Sequence, residues 1–269
     1  MNTFKKIGIV YKQETASVLT VCERVEKFFR SQQIVTIVSE IKEPVRDADI
    51  AIIVGGDGTI LRAARFYAPL DIPIFGINVG RLGFLAQAKV DEIESGLEKI
   101  INGEYKIDDR LMLSLEDNVC ALNDVVIKNA NSSKTVELKV YLNGKMVCNY
   151  MADGMIIASP TGSTAYTLSA GGPVLEPSLD AIVLVPICPH TLNVRPLVIP
   201  ADENIEICAK DETQQFSVFV DGQIEICSQN KVVINKAEKK AKIVLLNKDD
   251  DGFYTVLREK LNWGVDPRA

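Results

Sequence analysis

One acidic residue lies within a glycine-rich segment, Gly55-Gly56-Asp57-Gly58-Thr59, that follows the apolar run 50–54. In an open parallel sheet, ligands bind where a buried strand ends in such a turn and a helix begins. Glycine lets the backbone approach a phosphate closely, and the N–H groups at the start of a helix point toward an anion. The segment therefore predicts a phosphate-binding turn.

The carboxylate of Asp57 needs its own explanation, because it would repel a phosphate. It could help to hold Mg²⁺, or it could accept the proton of an attacking hydroxyl group. The alternative is structural: Asp57 caps the helix at a tight turn between strand and helix. The five residues alone favour neither interpretation.

A second unusual segment, Ser159-Pro160-Thr161-Gly162-Ser163-Thr164-Ala165-Tyr166, contains four serine or threonine hydroxyls in eight positions. Hydroxyls and free N–H groups suit the polar edges of a ribose or a purine. A Ser/Thr-rich turn that caps a short helix is the structural alternative. The run Ala170-Gly171-Gly172-Pro173 follows at once, and its small residues favour a close-packed site.

Three further short segments carry polar residues: Asn123-Asp124 begins a predicted strand, and Asp153-Gly154 and Asp221-Gly222-Gln223 lie at predicted turns. Each is more often an ordinary turn than a ligand. Together they supply polar groups from well-separated segments, which is how binding clefts are assembled.

The spacing of apolar residues predicts the elements that carry these groups. Up to residue 105 strands alternate with helices, which indicates an α/β domain with a parallel sheet. The runs 34–38 and 50–54 are rich in β-branched residues, as in strands buried on both faces. We predict strands at 6–11, 34–38, 50–54 and 72–77, and helices at 18–29, 60–66 and 91–101.

After residue 105 strand-like segments follow one another, and Asn143-Gly144 is a strong hairpin signal. We therefore predict a mainly β domain at 106–249. The segment 253–263 returns to helical spacing, and we expect this C-terminal helix to pack back on the first domain. The predicted first domain is 1–105 together with 250–269.

Composition excludes several partners. The net charge of −6 and the pI near 5.1 argue against a nucleic-acid binder. The longest apolar stretch, 181–189, is less than half a membrane span, so no membrane partner is expected. The six cysteines form no C-x-x-C pair, and with a single histidine a zinc site is not predicted. We expect reduced thiols in the cytoplasm.

Taken jointly, the motifs resemble those of the NAD kinase family, in order and spacing, from about residue 50 to residue 223. The glycine-aspartate turn is shared with lipid kinases, whereas the Pro160–Tyr166 string is specific. The matching pieces are Gly55–Thr59, Leu82-Gly83-Phe84-Leu85, Asn123-Asp124, Asp153-Gly154, Pro160–Tyr166 and Asp221-Gly222-Gln223.

The resemblance implies transfer of phosphate from ATP, or in some members polyphosphate, to the 2′-hydroxyl of the adenosine ribose of NAD. It implies Mg²⁺ bound mainly through phosphates, so no metal ligand is predicted in the protein. It also implies a homodimer or homotetramer with the site near a subunit interface, which Asp153 reaches from a neighbouring subunit. Some members have Glu at the position of Asp124 and a basic residue at that of Met151.

By the same resemblance, Asp57 would accept the proton and Gly58 would lie against the pyrophosphate. Asn123, Thr161 and Thr164 would meet the adenine, with Phe84 beside it. Asp124 would hold ribose hydroxyls, and Gln223 would lie near the ribose. The nicotinamide half would meet Asp153, Ala165, Tyr166 and Ser169, and Thr167 and Leu168 complete the predicted substrate-binding set.

Two other functions share parts of this pattern. A lipid or diacylglycerol-type kinase shares the glycine-aspartate turn, but it should also present an apolar groove or a basic membrane-facing patch. A non-catalytic NAD(P)-binding regulator needs the ribose-binding groups but no carboxylate at Asp57. Formation of NADP from NAD and ATP separates the three.

Overall fold

The computed structural model describes residues 4–12, 15–80, 83–86, 88–130, 135–191, 193–211, 214–246, 252–261 and 263. Residue contacts divide the chain into two compact units, Met1–Asp109 with Ala241–Ala269 and Arg110–Lys240. The first unit is α/β with a parallel sheet and the second is mainly β, as the sequence predicted.

The elements are numbered in chain order. The strands are β1 (Lys6–Tyr11), β2 (Val35–Glu40), β3 (Ile50–Val54), β4 (Ile74–Asn78), β5 (Ala88–Lys89), β6 (Lys106–Arg110), β7 (Leu113–Ser114), β8 (Cys120–Ala121), β9 (Asp124–Asn129), β10 (Val136–Leu142), β11 (Lys145–Ala152), β12 (Gly154–Ala158), β13 (Ala181–Ile187), β14 (Leu197–Pro200), β15 (Ile205–Ala209), β16 (Phe216–Val220), β17 (Ile224–Gln229), β18 (Lys231–Lys236) and β19 (Ala241–Leu245). The helices are α1 (Ala16–Ser31), α2 (Asp57–Tyr67), α3 (Ile93–Ile101), α4 (Tyr166–Ser169) and α5 (Gly252–Leu261).

The sheet of the first unit has the order β2-β1-β3-β4-β19-β6, with β5 beside β4. The pairs among β2, β1, β3, β4 and β19 are parallel. Central strand β3 is buried throughout. Its alternate residues Ile50, Ile52 and Val54 pack in one cluster with apolar residues of α1 and α3. Helix α2 covers the other face, where Ile60 lies against Gly76.

Strand β2 corrects one prediction. The run 34–38 was expected to be buried on both faces, but β2 forms the edge of the sheet, and Val35 is 59% exposed. β-branched residues favour extended backbone at a sheet edge as well as at its centre, so the run alone could not distinguish the two positions.

In the second unit the described residues form two sheets, ordered β11-β10-β15-β18-β7-β8 and β14-β13-β12-β9-β16-β17. Alternate residues from both sheets form one buried cluster. The opposite face of the second sheet carries its own smaller cluster, which includes Val126, Ile156, Val183 and Leu175. Strand β12 is therefore buried on both faces.

The hairpin predicted at Asn143-Gly144 is confirmed, because Leu142 of β10 pairs with Lys145 of β11. Both turn residues have positive φ, 49° for Asn143 and 76° for Gly144, as a tight hairpin turn requires. Strand β19 falls within the predicted second domain, 106–249, yet it pairs with β4 in the sheet of the first unit. A short apolar strand carries no sequence signal for the sheet that it joins.

Candidate functional site

The carboxylate of Asp57 is held by backbone groups from a distant part of the chain. Gly56 is the N-cap of α2 and makes no side-chain capping bond, and Asp57 is the first residue of the helix. The Phe84 N–H donates to Asp57 Oδ2 at 2.8 Å, and the Leu85 N–H donates to Oδ1 at 3.3 Å. Asp57 is therefore not the N-cap that the structural alternative required.

Gly83 is packed directly on this carboxylate. A Cβ atom at residue 83 would lie 1.8 Å from Asp57 Oδ1 and 2.1 Å from its Cγ. Any other residue would have to displace the carboxylate, so the glycine and the two N–H groups form a fitted seat for Asp57. Leu82, the first residue of this motif, lies outside the described residues. Phe84 is half-buried, and Gly58 is exposed near the start of α2.

The second unit contains a cavity of about 320 Å³ on the outer face of its second sheet. This volume is at the lower end of the range of small-molecule sites. Four of the predicted binding residues line it: Asn123, Asp124, Ala165 and Tyr166.

Five further residues line the cavity: Val126, Lys128, Phe219, Asp221 and Gly222. None of these five is among the site residues predicted from the sequence, although the two-residue period of a strand could have found some of them. Side chains alternate between the faces of a strand, so Val126 and Lys128 share the face of Asp124 on β9. The neighbouring strand β16 presents Phe219 on the same side of the sheet, because Val218 and Val220 point into the core.

Two carboxylates stand close together in this cavity. Asp124 is 5% exposed and Asp221 is 8% exposed. Asp221 Oδ1 accepts from the N–H groups of Asn123 at 2.7 Å and Asp124 at 3.2 Å, and Oδ2 accepts from that of Leu122 at 3.2 Å. Burial, and secondly the charge of Asp221, raise the pKa of Asp124 to about 7.

A lysine and a tyrosine also line the cavity. Lys128 Nζ lies 5.1 Å from the centroid of the Tyr166 ring, within the range of a cation–π contact. Tyr166 is 38% exposed, so its ring remains accessible. Gly154 pairs with Lys128 across β12 and β9, and a Cβ there would lie 3.2 Å from Lys128 Cγ.

Most hydroxyls of the segment 159–164 have structural partners. The Ser159 hydroxyl donates to Leu122 O at 2.5 Å and accepts from the Gly162 N–H at 3.2 Å. The Ser163 hydroxyl accepts from the Leu175 N–H at 3.0 Å, and it lies 2.6 Å from Pro160 O. Both serines are fully buried. These hydroxyls fold the segment and do not face the cavity.

The two threonines of this segment are tied to it as well. Buried Arg110 donates to Thr161 Oγ1 at 3.4 Å, and the Thr164 hydroxyl donates to Thr161 O at 3.3 Å. Gly162 lies on the backbone of Asn123, because a Cβ at residue 162 would be 2.1 Å from the Asn123 carbonyl oxygen. The segment thus supports Asn123 at the cavity edge.

The remaining predicted residues do not line the cavity of the second unit. Thr167 is fully buried, and its hydroxyl has no hydrogen-bond partner among the described residues. Leu168 is half-buried, and Ser169, Asp153 and Gln223 are exposed.

No group of three or more His, Cys, Asp or Glu residues in the described part of the chain is arranged to hold a metal ion. The described helices also include none that is long and apolar enough to cross a membrane.

Comparison with known proteins places this chain in the class of kinases. Residues 12–105 match the ATP-NAD kinase N-terminal domain, and residues 122–246 match the ATP-NAD kinase C-terminal domain. An NAD kinase of Pseudomonas putida is 36% identical over 98% of this chain and 97% of the relative. One from Pseudomonas savastanoi pv. phaseolicola is 37% identical with the same coverage. The chain belongs to the NAD kinase family.

Two solved structures of NAD(H) kinases are also similar to this chain. The crystal structure of an NAD kinase from Archaeoglobus fulgidus in complex with ATP has a TM-score of 0.80 and 29% identity, over 94% of this chain and 97% of that one. The yeast NADH kinase complexed with NADH has a TM-score of 0.85 over 99% of this chain and 90% of that one, and at 23% identity it shares the fold. These matches confirm the resemblance that the motifs predicted.

Proposed function

We propose that this protein transfers the γ-phosphoryl group of ATP to the 2′-hydroxyl of the adenosine ribose of NAD, giving NADP and ADP. Asp57 accepts the hydroxyl proton as the new O–P bond forms, and the bond to the β-phosphate oxygen of ATP breaks. The proton then passes from Asp57 to solvent.

The observation that carries this proposal is the seat of Asp57. An ionised carboxylate can accept about four hydrogen bonds, and the bonds from the N–H groups of Phe84 and Leu85 account for two. The same bonds and the contact with Gly83 hold the group in one orientation. A fixed carboxylate suits a general base, because a base must lie within hydrogen-bond reach of the proton that it removes.

Recognition of the dinucleotide is assigned to the second unit. Asn123 offers both an amide donor and an acceptor, as an adenine edge requires. Asp124 in its ionised form accepts bonds from ribose hydroxyls, and the Tyr166 ring provides a flat surface for a base or a nicotinamide. Thr161, Thr164, Ala165, Thr167, Leu168, Ser169, Asp153 and Gln223 remain in the proposed substrate-binding set, with Gly58 and Phe84 from the first unit.

As the family resemblance implies, we assign the divalent metal to the phosphates of the donor. When bound there, Mg²⁺ offsets the negative charge on the transferring phosphoryl group. The protein's own contribution is the N-terminal end of α2, whose N–H groups favour phosphate, and the base.

We further propose that the enzyme works in the cytoplasm as a homodimer or homotetramer. The six cysteines all lie in the described part of the chain and form no disulfide bond there, as expected where thiols stay reduced. Asp153 is exposed and does not line the cavity of its own unit, which suits a role in a neighbouring subunit. Mixing Asp57→Asn with Asp153→Ala protein should then restore activity that neither has alone, and no recovery would place Asp153 in its own subunit's site or outside any.

The test of the function is an enzyme-linked assay for NADP with the purified protein, NAD, ATP and Mg²⁺. Parallel reactions replace NAD by NADH, ATP by polyphosphate, or omit the metal. NADP formation that depends on ATP is expected. Binding of NAD without NADP formation would instead indicate a regulator, and phosphorylation of diacylglycerol would indicate a lipid kinase.

A further inference from the structure

We propose that Asp221 is a positioning residue, which uses its carboxylate to fix the backbone of residues 122–124 and so places Asn123 and Asp124 for the substrate. Asp221 belongs to a turn, has a strand on either side, and lies about one hundred residues from the groups that it holds. The inference rests on the proposed function, because its consequence is measured on NAD.

The hydrogen bonds define the arrangement. Three successive N–H groups, those of Leu122, Asn123 and Asp124, donate to this one carboxylate at 3.2, 2.7 and 3.2 Å. In return the Asp221 N–H donates to the Asp124 carbonyl oxygen at 2.9 Å. Three donors converge on the group, so a neutral or longer side chain cannot reproduce the set.

The backbone of Asp221 is specialised as well. Its φ is 49°, in the left-handed region, which Asp and Asn tolerate better than most other residues with a side chain. Gly222 follows with a φ of 62°. This conformation turns the chain at the end of β16 and points the side chain back toward β9.

The consequence for Asp124 is electrostatic as well as geometric. The carboxylate that orients residue 124 also repels the charge on it, and this repulsion adds to burial in raising the Asp124 pKa to about 7. The other charged or titratable groups that line the cavity are Lys128 on β9 and Tyr166 on α4. Asp221 thereby fixes the position of Asp124 and, after burial, contributes to raising the pH at which Asp124 ionises.

The experiment compares the wild type with Asp221→Asn and Asp221→Glu. Calorimetry measures the Kd for NAD at pH values from about 5.5 to about 8.5, on either side of the Asp124 pKa of about 7. Wild-type affinity should fall as the pH drops through about 7, because protonated Asp124 accepts fewer bonds. Asp221→Asn should weaken binding roughly tenfold, raise KM more than it lowers kcat, and move the midpoint to lower pH. Asp221→Glu should weaken binding but keep the midpoint, because it keeps the charge.

The matched control is Asp49→Asn in the first unit. Asp49 Oδ2 also accepts hydrogen bonds from two backbone N–H groups, those of Lys5 and Lys6. This control should bind NAD as the wild type does, with the same midpoint. Thermal unfolding verifies that each variant is folded. Asn is compatible with the left-handed backbone at 221, and the Glu variant supplies an independent test of the position.

The outcomes separate the two claims. Wild type that neither binds NAD nor forms NADP would overturn the proposed function. A second outcome would overturn the positioning role alone. In it the wild type binds NAD and forms NADP, and the Asp221→Asn variant has a Kd for NAD within twofold of the wild-type value and the same pH midpoint. A purely structural role for Asp221 predicts weaker binding with no shift of the midpoint, which would also contradict the proposal.

Discussion

In each unit of the molecule, backbone N–H groups hold a carboxylate of the candidate site, but the surroundings of these two carboxylates, Asp57 and Asp221, differ. Asp57 receives two such bonds and sits among the exposed glycines Gly56 and Gly58. Asp221 receives three and is buried, with Asp124 as a buried neighbour. A seated carboxylate next to open backbone suits proton transfer, whereas a desolvated acid pair suits recognition that depends on protonation state.

The two units also share a packing device. Gly83 leaves room for the carboxylate of Asp57, and Gly162 leaves room for the backbone of Asn123. In each unit, a glycine in one segment packs directly against a candidate site residue in another segment. The positions of Asp57 and Asn123 therefore depend on close contact between segments that are distant in sequence. Substitutions that disturb one device without the other test this comparison.

The largest effect is expected for Asp57→Asn. The amide has nearly the same shape but cannot accept a proton, so kcat should fall by about 10²–10⁴-fold while the Kd for NAD changes little. Steady-state kinetics and calorimetry measure the two quantities. Turnover equal to that of the wild type would remove Asp57 from the chemistry.

Asp124→Asn tests the buried pair through stability. The folded-state pKa of about 7 lies above the unfolded value, so wild-type stability decreases as pH rises from about 4 to 7 and then levels off. The cost of ionising Asp124 reaches up to about 4 kcal/mol. The ligand-free Asn variant should therefore be more stable than wild type at pH 8, and the difference should shrink at pH 5. Thermal unfolding at both pH values measures this, and equal differences would contradict the raised pKa.

Gly83→Ala should displace the Asp57 carboxylate, because the new methyl group would lie within 2.2 Å of three of its atoms. We expect kcat to fall by roughly 10- to 100-fold. Gly80→Ala in the same loop is the control, since its Cβ would meet only Asn78 Oδ1 at 3.8 Å. Equal kcat in both variants would show that the seat does not position the base.

The smallest effect is expected for Lys128→Met, which keeps the apolar stem but removes the ammonium from the Tyr166 ring. An accessible cation–π contact contributes about 0.5–1 kcal/mol, so the Kd for NAD should rise about two- to fivefold. Lys139→Met on β10 serves as the control. An unchanged Kd would mean that Lys128 does not hold the ring for the ligand.

The sequence predicted the two-part fold and the hairpin at Asn143-Gly144, because these depend on local periodicity and on turn residues. It also pointed to Asp57 and Asn123-Asp124. It could not predict that β19 joins the first sheet, since that choice is made by non-local pairing.

The sequence also could not predict which polar side chains face a ligand and which bond to the backbone. The hydroxyls of Ser159 and Ser163 suggested a ligand, but they bond to backbone atoms that only the folded chain brings near. The sequence predicts that Asp221 lies in a turn. Its hydrogen bonds to the backbone of residues 122–124 depend on the pairing of β16 with β9, which the sequence does not reveal. Strand alternation, applied outward from Asp124, would have added Val126 and Lys128.

The central claim is that Asp57 removes the proton from a ribose hydroxyl. A crystal structure of the protein with NAD tests it most directly. The account predicts an Asp57 carboxylate oxygen within about 2.6–3.2 Å of the 2′-oxygen of the adenosine ribose. An Asp57 that bonds only to Phe84 and Leu85, with every ribose oxygen beyond reach of a hydrogen bond or a single bridging water, would contradict it.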